Sequence, residues 1–89
     1  MNIMRAEDAP ISFNTMVRKD FNDNFIIINE KESIQGCVNV VKTYFEKPIT
    51  QIIIMNTKNK LVAEWIKINE KWINTFIDDE IEKWVKKFI

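Results

Sequence analysis

Asp78, Asp79, Glu80 and Glu82 form the densest group of chemically capable side chains in this 89-residue sequence. Hard divalent cations take several such oxygens, but no EF-hand-like spacing surrounds these four. An acidic run also opens a helix without any ion, because it complements the positive end of the helix dipole. That second use is the one expected here. The sequence has one cysteine, Cys37, and no histidine to act on it as a base. A lone thiol supports neither an internal disulfide nor a cysteine-based metal site. A small buried hydrophobe on a helix is its expected role. The single glycine, Gly36, excludes a glycine-rich phosphate loop. Tyr44, Ser12 and Ser33 stand in no motif that marks a reaction. The expectation is a protein that is not an enzyme and needs no metal or cofactor.

Two constellations point to binding instead. Trp65 and Trp72 are interleaved with Lys58, Lys60, Lys67 and Lys71, a combination that can stack and neutralise single-stranded nucleic acid. The competing use is core tryptophans beside solvated lysines whose stems cover them. Charge favours the latter. The chain carries 13 basic and 13 acidic groups, so no basic face dominates. Glu64 and Glu70 also sit inside the lysine-bearing stretch. Trp84 and Phe88, opposite lysines near the C-terminus, could lie on a membrane surface. The acidic start and short length of their segment favour docking within the fold. No apolar run approaches the length of a membrane span, and Glu7 and Asp8 stand where a signal peptide would be apolar. A cytoplasmic location is therefore expected. Ile, Lys and Asn number 16, 11 and 10, a bias toward A/T-rich codons that suggests a low-GC genome: a bacterium, a phage, a plasmid or a large virus.

The elements that must position these residues follow from periodicity. Residues 1–10 read as a loose lead-in to a single domain over 11–89. A short edge strand is expected near 11–17. Phe25-Ile26-Ile27-Ile28, a continuous apolar run, predicts a strand near 24–29 buried on both faces. A helix near 30–46 has Asn29 and Glu32 as its capping pair and Ile34, Cys37, Val38, Val41, Tyr44 and Phe45 as its apolar stripe. Gly36 suggests close packing of that helix on a strand, and Pro48 ends it.

Ile52-Ile53-Ile54 predicts a second buried strand near 50–56, followed by a hairpin loop with Asn59 in the left-handed region. Leu61 to Phe76 fits either one helical stripe or two strands, 61–68 and 71–76, joined at Asn69-Glu70. The turn chemistry and the β-branched and aromatic content favour strands. A final helix near 78–89 has Ile77, Ile81, Trp84, Val85 and Phe88 on its apolar side. The fold class is thus α+β with a small antiparallel sheet. The order α-β-β-β-α over 30–89 resembles that of double-stranded-RNA-binding domains. Those domains, however, open the last helix with a basic cluster, where this chain has Asp78, Asp79 and Glu80.

Apolar residues fall on both faces of such a sheet, with Ile66 and Ile68 on one and Leu61 and Trp65 on the other. If both helices share one face, the other is an exposed apolar patch of the kind that marks an interface. One helix on each face would leave no such patch. The expected function is a small non-catalytic module that binds another protein or a second copy of itself, such as an inhibitor, an immunity protein or an accessory subunit. Trp65, Trp72, Trp84 and Phe88 are its candidate anchors. The alternative is a nucleic-acid-binding module using Lys58, Lys60, Lys67 and Lys71.

Overall fold

A computed structural model describes residues 12–88. The expected lead-in over 1–10, and Ile11, lie outside the described residues. Five strands, β1 (Phe13–Arg18), β2 (Ile26–Glu32), β3 (Gln51–Asn56), β4 (Leu61–Ile68) and β5 (Lys71–Ile77), accompany two helices, α1 (Ile34–Tyr44) and α2 (Asp79–Phe88). The strands form one antiparallel sheet in the order β2-β1-β3-β4-β5. The protein is an α+β fold, and the stretch 61–76 is a hairpin.

Turn chemistry sets the hairpins. Asn59 has a φ of 63° in the β3–β4 loop, and the Asn56 side chain accepts from the amides of Lys58 and Lys60. Asn69 and Glu70, with φ of 52° and 66°, make the two-residue turn between β4 and β5.

The core lies between one face of the sheet and the two helices. Phe13, Thr15 and Val17 of β1, Ile52 and Ile54 of β3, and Ala63 and Trp65 of β4 meet Cys37, Val38 and Val41 of α1 and Val85 of α2. The register makes this one face: Thr15 is opposite Ile54, Val17 opposite Ile52, and Ile52 opposite Trp65. Both helices therefore sit on the same side. At the C-terminal end of α1, the Phe45 ring meets Trp65 edge-on at 6.2 Å and Trp72 at 5.3 Å.

Four local expectations are corrected. First, Asn29 does not cap α1; it lies inside β2, where its Oδ1 accepts from the Thr15 amide at 2.9 Å. Ser33 is the N-cap, its Oγ accepting from Gly36 N–H at 3.1 Å. Ser33→Ala is expected to cost about 1 kcal/mol in urea unfolding. Second, β1 is not an edge strand but pairs on both sides, which is why its alternate residues are fully enclosed. Third, β2 takes the edge instead, so the run at 26–28 is not buried on both faces: Ile26 and Ile27 are 64% and 48% exposed. Fourth, Gly36 lies close to the end of β2, but what closes its space first is side chain and not strand backbone: a Cβ there would meet the Glu32 carboxylate at 3.0 Å and Ser33 Oγ at 3.4 Å.

Candidate interaction surface

The face of the sheet opposite the helices is uncovered among the described residues. Register assigns it Met16 and Arg18 from β1, Ile27 from β2, Gln51, Ile53 and Met55 from β3, Glu64 and Ile66 from β4, and Ile73 and Phe76 from β5. A shift of register at Ile54/Met55 also pairs Leu61 with Met55, so Leu61 leaves the side of Trp65 on which alternation places it. Ile53, flanked by Met16 and Glu64, is 8% exposed, whereas Ile73 and Phe76 toward the β5 edge are 45% and 41% exposed.

A line of polar side chains crosses this apolar surface over four strands. Arg18 Nε donates to Gln51 Oε1 at 2.6 Å, Gln51 Nε2 donates to Glu64 Oε2 at 2.5 Å, and Thr75 Oγ1 donates to Glu64 Oε1 at 2.6 Å. The Arg18 guanidinium also lies over the rings of Phe25 and Phe21, at 4.6 and 5.5 Å from their centroids. Each partner fixes its neighbour's rotamer, so the line is pre-organised and its charges are balanced within the face.

The anchors expected from the sequence are dispersed by this arrangement. Trp65 is 4% exposed in the core. Trp72 is half-buried on the helix side, and its Nε1–H donates to Phe45 O at 2.8 Å. Trp84 is 44% exposed on α2, beside Ser33, Ile34 and Gln35 at the start of α1. Phe88 closes α2, and its side chain lies outside the described residues. Sequence reasoning missed Arg18, Gln51, Glu64 and Thr75 because nothing local marks four polar residues on four strands as one line.

The four lysines do not form one patch. Lys58 and Lys60 sit before β4, and Lys67 and Lys71 sit at its far end, more than about 20 Å away at strand rise. Lys60 Nζ is 4.0 Å from Asp78. Lys67 turns to the helix side, with Nζ 5.1 Å from the Trp72 ring centroid and 3.2 Å from Lys47 O. The acidic run opens α2: Asp78 Oδ1 accepts from Glu80 N–H at 2.9 Å, the geometry of a helix cap. Among the described residues no group of three His, Cys, Asp or Glu is placed to hold a metal ion. No helix among them is long and apolar enough to cross a membrane.

Cys37 is fully buried against Asn29, whose Oδ1 lies 3.9 Å from Sγ. Burial pushes its thiol above the ordinary value of 9.0, against the opposing pull of the Thr15 and Asn29 side chains. The folded state keeps the proton where the unfolded state has begun to lose it. This contribution to stability is therefore complete below pH 9.0 and falls as pH rises past it. Urea midpoints of the wild type and Cys37→Ser, followed from neutral to alkaline pH, are expected to draw together as pH rises.

Comparison of the chain with protein-family models, with curated proteins and with solved structures finds no match to any of the three.

Proposed function

We propose that this protein is a non-catalytic binding module that docks another protein on the uncovered face of its sheet. The observation that carries this reading is the placement of both helices on one side, which leaves Met16, Ile53, Ile66 and Ile73 opposite them. Apolar area exposed on either side of the polar line is costly to leave in water, and its burial is the main favourable term in association. The line from Arg18 to Thr75 gives the same surface orientation: a partner must supply apolar groups on either side of it and polar groups along it. Zero net charge suits a protein partner better than a polyanion. In biological terms the proposal is an inhibitor, an immunity protein or an accessory subunit of a phage, a plasmid or a low-GC bacterium.

Site-specific photocrosslinking tests it. The full chain carrying a benzophenone side chain at Met16 or Ile66 is irradiated in nuclease-treated lysate of a low-GC bacterium. The same probe at Trp84 reports on the helix side. A discrete protein adduct from positions 16 and 66 and none from 84 is expected. Adducts from position 84 alone, or only nuclease-sensitive ones, would overturn the reading.

A further inference from the structure

The two edges of the sheet are finished differently. β2 ends in Glu30, Lys31 and Glu32, its pairing with β1 shifts register twice, and Lys31 has a φ of 54°. Charges and irregularities of this kind are what prevent an edge strand from pairing with another chain. β5 is less defended between Trp72 and Ile77: that stretch holds no charge and no proline, its one irregularity lies at Asn74-Thr75, and Ile73 and Phe76 are exposed. Among the described residues β5 pairs with β4 alone.

We propose that β5 pairs antiparallel with β5 of a second copy of this chain, around a twofold axis through Asn74 and Thr75. The register is fixed by an irregularity. Glu64 is opposite Phe76 while Trp65 is opposite Asn74, so Thr75 is an extra residue and Asn74-Thr75 together fill one position of the strand. Asn74 Nδ2 bridges the irregularity, donating to Glu64 O at 2.8 Å and Phe76 O at 2.9 Å. Ile73 and Phe76, three residues apart, consequently share the uncovered face, while Trp72 and Ile77 share the helix face.

A twofold axis normal to the sheet keeps each face on its own side and requires opposed residues to share a face. Centring the axis on Asn74-Thr75 sets Ile73 opposite Phe76 of the other copy and Trp72 opposite its Ile77. Both pairs meet the requirement. Shifting the register by one residue sets Ile73 opposite Ile77 and fails it. The product is a continuous sheet of twice five strands with both uncovered faces on one side. It forms whether or not a foreign protein docks on those faces.

Sedimentation velocity on the full chain reads the outcome. A dimer at micromolar concentration is expected. The double variant Ile73→Lys/Phe76→Lys sets lysine against lysine twice across the axis. It should weaken the dimer by about 100-fold or more while keeping the wild-type circular dichroism. Ile26→Lys, on the other edge, should leave the dimer intact. The register is read separately in a Cys37→Ala background. Copper-phenanthroline oxidation should crosslink a mixture of Ile73→Cys and Phe76→Cys chains, and neither chain alone. A monomer throughout the concentration range, a dimer that survives the double lysine variant, or equal crosslinking of either cysteine chain alone would overturn the proposal.

Discussion

Ile66→Glu is expected to leave the protein folded and to weaken partner binding by at least about 30-fold. Ile66 sits on the uncovered face, opposite Gln51 on one side and Ile73 on the other, and it is only half-buried. A carboxylate there remains in water while the protein is free, so unfolding by urea should shift by no more than about 1 kcal/mol. Once a partner covers the face, the same carboxylate loses its hydration beside Glu64, two residues away on the same strand and face. Glu64 already satisfies its oxygens with Gln51 and Thr75 and repels a second negative charge. An unpaired charge buried in the middle of an interface costs at least about 2–3 kcal/mol, or roughly 30- to 150-fold in affinity. Urea unfolding and titration of the crosslinked partner, compared with wild type, check both halves. A variant that binds normally would remove Ile66 from the contact.

Trp65→Ala is the largest loss of stability expected from a single substitution. Trp65 is 4% exposed, opposite Ile52, with Phe45 packed edge-on against its ring. Removing a buried indole costs about 3–5 kcal/mol through lost transfer energy and the cavity left behind. A small domain has only about 5–15 kcal/mol to lose, so much of this variant unfolds on mild heating. Trp84→Ala, at a position 44% exposed, should change stability by less than about 1 kcal/mol. Thermal and urea unfolding of the two variants side by side separate the tryptophan that holds the core from the one that faces water. Any binding lost in Trp65→Ala should follow its folded fraction.

The parts of the fold legible in the sequence are those set by local chemistry. Asn59 and Asn69-Glu70 announce their turns because few residues accept positive φ, and Asp78 to Glu80 announce the start of α2. Local chemistry misplaces the start of α1: Asn29 reads as its cap, but the extended pairing of β2 with β1 through Glu32 moves the cap to Ser33. Strand order depends on contacts distant in sequence. The run Ile26-Ile27-Ile28 therefore suggested a central strand, and Ile11 to Val17 an edge strand, the reverse of what forms.

The apolar character of the second sheet face was visible in Ile53 and Ile66, yet its exposure turned on where the helices lie. Periodicity does not encode that. Tryptophans suit an anchor's role through their size, but size suits a core equally well, and Trp65 and Trp72 surround Phe45.

A partner is expected on the face opposite the helices, and isoleucine methyl groups report on that face directly. Spectra of the methyl-labelled chain are recorded alone and with the protein recovered by crosslinking. The methyl signals of Ile53, Ile66 and Ile73 should shift or broaden, while those of Ile34 and Ile81 on the helices stay in place. Perturbation of Ile34 and Ile81 with Ile53 and Ile66 unchanged would contradict it.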